Sequence, residues 1–169
     1  MTPPQTPQIY QGSRGITIYI ASKFHSRSRL LPIRQHLIYE GFNVLSTWMV
    51  KDADMPTDDS AIFDSLGDCL EDSKIMAIRD FQEVSKADVF IIDTNDTSTT
   101  GGREVELGYA KAEGVECLRV GPLRNVFHAL VDEGFNNWDE CIRYLMASYP
   151  LLEATLDPEF GGYFYDKKK

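Results

Sequence analysis

Basic charge, histidine and cysteine are all scarce in this chain, and long apolar runs are missing. Lys and Arg number 17 against 26 Asp and Glu, a formal net charge of −9. That excludes a nucleic-acid backbone as the main partner, because phosphate contacts along a strand need a basic surface. A single nucleotide is not excluded, since it needs only a local pocket. The 3 cysteines, Cys69, Cys117 and Cys141, are an odd number at unrelated spacings. They fit reduced core or helix residues of a cytoplasmic protein, with neither a disulfide framework nor a zinc pattern. His25, His36 and His128 show no spacing with Cys or Asp that suggests a metal. No run approaches the roughly 18 apolar residues of a membrane span. The opening MTPPQTPQIYQGSRG lacks the apolar core of a signal peptide. The expectation is a cytoplasmic protein with no membrane partner. Neither GxGxxG nor a Walker loop occurs, so no dinucleotide or NTP site is indicated.

What is present suits one domain with a full core: 169 residues, 43% hydrophobic and 25% charged. Residues 1–14 are polar and proline-bearing and read as a flexible arm. Ile16–Ala21 is close to continuously apolar, as buried parallel strands are. The polar loop Ser22–Arg29 leads to a helix over Leu30–Tyr39, with Gly41 as its C′ residue. Phe42–Thr47 reads as a second strand and Lys51–Asp59 as a polar loop that could be a lid. Helical periodicity covers Ile62–Cys69 and Ile75–Lys86. Val89–Asp93 is a third strand, Arg103–Glu113 a helix closed by Gly114, and Glu116–Val120 a fourth strand. Asn137 can cap a helix over Trp138–Met146, with Glu140 at the capping-box position. Strands alternating with helices predict an α/β fold: a small doubly wound parallel sheet of four or five strands with helices on both faces. The domain spans 15–150, and 151–169 form a tail whose aromatic run, Tyr163–Tyr165, would suit a subunit interface or the core equally.

Thr97–Gly114, TSTTGGREVELGYAKAEG, is the most informative stretch. It follows the apolar strand Val89–Asp93 with a Ser/Thr/Gly loop, then a helix with two early acids, Glu104 and Glu106. A loop at the carboxyl end of a strand, leading into a helix N-terminus, is where open α/β sheets bind ligands. A glutamate in the first turn is expected to be held ionised by the helix dipole, and an ionised, positioned carboxylate is a candidate nucleophile. The two acids stand two residues apart, about 200° around the helix. One therefore faces the strand-end crevice and the other faces elsewhere. The alternative is that both merely complement the dipole.

Asp80 lies in a helix leading to the third strand. Two carboxyl groups near one crevice can divide nucleophilic and proton-transfer work. The alternative is a solvated acid paired with Arg79 or Lys74. The loop Ser22-Lys23-Phe24-His25-Ser26-Arg27-Ser28-Arg29 is rich in hydroxyls and cations and could hold a phosphate. It could equally be an ordinary polar loop.

Taken together these segments resemble the nucleoside 2-deoxyribosyltransferase superfamily, which includes base-exchanging transferases and N-glycosidases of 2′-deoxynucleoside 5′-monophosphates. The match rests on Ile18-Tyr19-Ile20-Ala21-Ser22, on Asp80 eight residues before Asp88, on the strand Asp88–Asp93, and on Glu106-Leu107-Gly108-Tyr109-Ala110. The later Val120–His128, with Phe135 and Trp138, resembles a variant among bacterial and phage members. The resemblance covers about Gly15–Leu145.

The resemblance implies that Glu106 attacks the anomeric carbon and a second base or water resolves the glycosyl-enzyme. Asp80 would manage the proton on the departing base or hold the sugar, and Tyr19 would position Glu106. Gly101 and Gly102 would let the backbone approach the sugar, and Gly108 would pack the helix tightly on the sheet. Ser22, Lys23, Arg27, Thr100 and Asn125 would contact the substrate, with Arg29 a further phosphate ligand. Base-exchanging members often carry aspartate six residues before the nucleophile. Thr100 stands there instead, and a threonine does not repel phosphate. The implied partner is a small nucleoside or nucleotide and the implied assembly a homodimer or higher homo-oligomer. No cofactor is implied, because the chemistry needs only carboxylates. The rival expectation is a non-catalytic nucleotide-binding or sensing module of the same fold.

Overall fold

A computed structural model describes residues 13–51, 70–97, 101–152, 154–156 and 163–165. Five strands form one parallel sheet: β1 (Thr17–Ala21), β2 (Asn43–Val44), β3 (Val89–Asp93), β4 (Glu116–Val120) and β5 (Glu133–Phe135), in the order β2-β1-β3-β4-β5. The fold is therefore α/β with a doubly wound parallel sheet. Tyr19 pairs with Phe90, and Phe90 with Cys117. Val89, Phe90, Ile91 and Ile92 are all 0% exposed. Each such side chain contributes about 1.5–3 kcal/mol by leaving water, which is why β3 reads as an unbroken apolar run.

Among the described residues five helices flank the sheet: α1 (Arg27–Tyr39), the short α2 (Trp48–Lys51), α3 (Leu70–Ser85), α4 (Gly102–Ala112) and α5 (Trp138–Ser148). Side chains alternate between the faces of a strand. Tyr19 stacks on Phe90 on the face that α4 covers, and Phe81 of α3 packs on Tyr109 of α4 with ring centroids 4.7 Å apart. Asp93 points to the opposite face, where Arg29 of α1 and Trp138 of α5 reach it. Among the described residues no helix is long and apolar enough to cross a membrane.

Local chemistry sets the helix ends. Gly41 has φ +91°; its N–H bonds the Ile38 carbonyl while that of Phe42 bonds Leu37. That paired pattern closes α1 at the C′ residue glycine favours. Asn137 caps α5 by accepting the Glu140 N–H at 3.0 Å. Glu140 reaches back to the Asn136 N–H at 3.0 Å, one residue earlier than in the usual capping box. Buried Cys117 and Cys141 are unpaired, their thiols pushed up to about 12 by burial. Cys69 lies outside the described residues.

Several expectations need correction. β2 stops at Val44 rather than Thr47, because beyond it side chains replace the ladder: Ile20 N–H donates to Ser46 Oγ and the Trp48 indole donates to the Ile20 carbonyl. α1 begins at Arg27, three residues before Leu30, behind a 3₁₀ turn over Phe24–Ser26. Ser13 and Arg14 belong to the folded unit: Arg14 is 8% exposed and bonds the carbonyls of Glu40 and Tyr149. Gly108 does not pack helix on sheet. It is exposed, and a Cβ there would meet nothing within 4 Å. In the tail, Ala154–Leu156 pairs antiparallel with Tyr163–Tyr165. The expected helix over Ile62–Cys69, most of the Lys51–Asp59 loop, most of the arm and the last four residues lie outside the described residues.

Candidate active site

The strand order reverses between β1 and β3, and the crevice beyond their carboxyl ends is where open α/β sheets place ligands. α4 starts beside it. Its N-cap, Gly101, has φ +72°, and Cβ atoms built at Gly101 or Gly102 would meet nothing within 4 Å. Space for a ligand thus adjoins a helix N-terminus.

The two early acids of α4 part company. Tyr19 Oη donates to Glu106 Oε1 at 2.9 Å. Glu104 turns the other way, accepting from Arg103 Nε at 2.9 Å and lying 2.8 Å from His128 Nε2. His128 is fully buried and its Nδ1 accepts the Arg124 N–H, so Nε2 carries the proton towards Glu104. Burial opposes the charge on Glu104, but Arg103 and His128 outweigh it and hold this carboxyl below its ordinary range.

Glu106 behaves in the opposite way. Burial first, then the charge of Asp80, pushes its carboxyl up to about 8, with smaller contributions from Glu104 and Glu83; the Tyr19 hydroxyl opposes them. The expectation that the helix dipole keeps Glu106 ionised is therefore wrong for this state of the site. The helix begins at Gly102, which leaves only Glu104 in the first turn. Dipole support fades beyond that turn, and burial among carboxylates dominates. Tyr19 is also raised, by burial and then by Glu106 and Asp80.

Asp80 projects from α3, partly buried, and accepts from Arg79 Nε and Nη2 at 3.2 and 3.0 Å. Its charge nevertheless acts on Tyr19 and Glu106. The fold thus gathers Tyr19, Asp80 and Glu106, which lie far apart in sequence. Glu83 joins them, bonding Thr47 N–H at 2.9 Å and the Thr47 hydroxyl. The available sequence signal was its place three residues after Asp80, on the same side of a helix.

The first loop is differently arranged. Ser22 Oγ is buried with no hydrogen-bond partner among the described residues. Arg27 lies 5.7 Å from the centre of the Phe24 ring, and Lys23 precedes the 3₁₀ turn. Arg29 does not stand ready for phosphate. It holds Asp93 through bonds of 3.1 and 2.9 Å and Asp96 through one of 2.8 Å. Ser26, then Arg29, lowers the Asp96 carboxyl. Asn125 acts as a cap: its Oδ1 accepts from Phe127 N at 2.8 Å and His128 N at 3.3 Å. The turn that it caps carries His128, the partner of Glu104. His25 and His36 are exposed. Thr100 lies outside the described residues. Among those residues, no group of three or more His, Cys, Asp and Glu gathers as metal ligands.

No family model matches the chain, and no curated protein matches it. Solved structures do. A 2-deoxyribosyltransferase from the psychrotolerant bacterium Bacillus psychrosaccharolyticus superposes with a TM-score of 0.55 at 20% identity, over 80% of this chain and 96% of that one. A CMP N-glycosidase of Clostridium botulinum gives a TM-score of 0.45 at 16% identity, over 78% of this chain and 98% of that one. The chain has the doubly wound fold of the Bacillus 2-deoxyribosyltransferase.

Proposed function

We propose that this chain is an enzyme that cleaves the N-glycosidic bond of a 2′-deoxynucleoside or its 5′-monophosphate through Glu106. The carrying observation is the Tyr19 Oη–Glu106 Oε1 bond of 2.9 Å, set at the sheet's switch point with Asp80 converging on both groups. The shared fold with a 2-deoxyribosyltransferase supports the reading.

The reactive form carries one proton on the Glu106–Asp80 pair. Two carboxylates whose charges act on one another do not both ionise readily. With the proton on Asp80, Glu106 is an oxyanion steadied by Tyr19. Glu106 Oε attacks the anomeric carbon, the bond from that carbon to the base nitrogen breaks, and the electron pair leaves with the base. Asp80 gives the base its proton. Water or a second base then attacks the same carbon and gives its proton to Asp80. The ester bond breaks and Glu106 is regenerated. Two displacements retain configuration, through oxocarbenium-like transition states.

A 5′-phosphate is favoured in this reading. Thr100 adds no negative charge, the Ser22 hydroxyl, with no partner among the described residues, is a donor, and the start of α4 offers backbone N–H groups. Lys23 and Arg27 lie in the loop beside Ser22. Arg29, Arg103 and Arg124 are already engaged by carboxylates or backbone carbonyls.

The test is chromatography of released base from each of four 2′-deoxynucleosides and their 5′-monophosphates, with and without a second free base. Release from monophosphates alone supports a nucleotide hydrolase. A new nucleoside formed only with added base supports a transferase and removes the phosphate preference. No release from any substrate, with nucleotide-dependent thermal stabilisation, would overturn the enzyme in favour of a sensing module.

A further inference from the structure

α3 carries a second acid on the Asp80 side that the chemistry above does not use. Glu83 is 9% exposed, and both its oxygens are occupied by one residue. Oε2 accepts the Thr47 N–H at 2.9 Å and Oε1 accepts the Thr47 hydroxyl. Thr47 sits in the bend that ends β2. Ser46, just before it, is 0% exposed with φ +21°, a backbone state that a non-glycine residue keeps only when its surroundings impose it. Ser46 Oγ accepts the Ile20 N–H at 2.5 Å, and the Trp48 indole donates to the Ile20 carbonyl at 2.9 Å. The bend thus closes over the backbone of the residue that follows Tyr19, and Phe24 packs on Trp48 from the first loop. Glu83 is near enough for its charge to reach both Tyr19 and Glu106.

From this clasp we propose that Glu83 is a positioning residue of the site. By holding Thr47 through both carboxylate oxygens, it fixes the Ser46–Trp48 bend as a wall of the cleft beside Tyr19 and Glu106. A carboxylate suits the task because Thr47 presents two donors and Glu83 two acceptors. Loss of the Thr47 donors would leave the buried Glu83 carboxylate without partners, and loss of Glu83 would leave the Thr47 donors unpaired. The fixed charge has a second effect. The described groups whose charge or hydrogen bond acts on Glu106 are Asp80 and Glu83 from α3, Tyr19 from β1 and, from the other side of its own helix, Glu104. Glu83 is thus one of three acids that discourage ionisation of Glu106. Its effect on turnover rests on Glu106 being the reacting group; the clasp itself does not.

Three variants separate wall from charge. Glu83→Gln keeps an acceptor for the Thr47 N–H and lets the hydroxyl turn to accept from the amide, so the clasp persists without charge. Thr47→Val keeps the charge and removes the hydroxyl. Glu83→Ala removes both. KM and kcat for base release are measured beside the titration midpoint of Glu106, followed by carbon-13 NMR of glutamate-labelled protein, which needs no turnover. Glu83→Ala is expected to raise KM about tenfold with a smaller change in kcat, and Thr47→Val to raise it about threefold. Glu83→Gln is expected to lower the Glu106 midpoint by about half a pH unit, and Thr47→Val to leave it in place. An unchanged KM in Glu83→Ala, or the same Glu106 midpoint in Glu83→Gln and wild type, overturns the proposal. If the wild type releases no base, the proposed reaction fails while the titration still decides on Glu83.

Discussion

Two carboxylates at the carboxyl edge of one sheet have opposite surroundings. Asp93 ends β3 at 0% exposure. Its oxygens accept two bonds from Arg29, one from the Trp138 indole at 2.7 Å, and two from Asn95. Glu106, across the sheet, accepts the Tyr19 hydroxyl and otherwise feels the like charges of Asp80, Glu104 and Glu83. A buried charge is tolerable when donors and a countercharge surround it. Asp93 has both and ties α1, β3 and α5 together. Glu106 has neither in full, so its carboxyl rises to about 8 and its protonation responds to whatever enters the cleft. Completeness of hydrogen bonding separates the carboxylate that holds the fold from the one proposed to react.

Substitutions at the two places should therefore fail in different currencies. Glu106→Ala should lower kcat on the order of 10⁴-fold or more while the thermal transition stays cooperative; base release near the wild-type rate would break the comparison. Asp80→Asn should lower the chemical step about 10²–10⁴-fold, read by single-turnover kinetics. An unchanged rate would remove Asp80 from the proton transfer. Asp93→Ala should cost about 3–5 kcal/mol of stability in urea titrations, since Arg29 and the Trp138 N–H lose a buried partner; a loss of rate at full stability would place Asp93 in the chemistry.

The smallest effect sharpens the contrast. Between about 4.5 and 8 folded Glu106 keeps a proton that the unfolded chain releases. Stability is therefore lost as pH rises through that window. Glu106→Gln escapes this loss and should be more stable than wild type at pH 8 by about 1–3 kcal/mol, with the difference vanishing below about pH 4.5. A difference independent of pH would mean that Glu106 is not raised.

How much of this was legible in the sequence follows from which interactions are local. β1 and β3 are visible as short apolar runs because both faces of the sheet are covered. The ends of α1 and α4 are visible in Gly41 and Gly114, and the start of α5 in Asn137, because caps are built within a few residues. The divergence of Glu104 and Glu106 follows from helical geometry alone. β2's early end is not legible, since Ser46 and Trp48 bond a residue of β1. β5 hides in Glu133-Gly134-Phe135, whose composition is poor for a strand. Arg29 reads as a phosphate ligand until the fold brings in Asp93 and Asp96 from a distant strand end. The cap that Asn125 places on the turn carrying His128 was not read from the sequence. The rise of Glu106 was hidden for the same reason: its causes are burial in the folded chain and then the charge of Asp80, on another helix.

The most direct test of the account is the intact mass of the protein quenched during turnover of a slow 2′-fluoroarabinosyl nucleoside or its 5′-monophosphate. Fluorine beside the anomeric carbon disfavours the oxocarbenium-like transition state and lets the ester accumulate. The account predicts one added glycosyl mass, located by peptide mapping to Glu106 and absent from Glu106→Ala. Base release with no adduct at any time, continuing in Glu106→Ala, would contradict it.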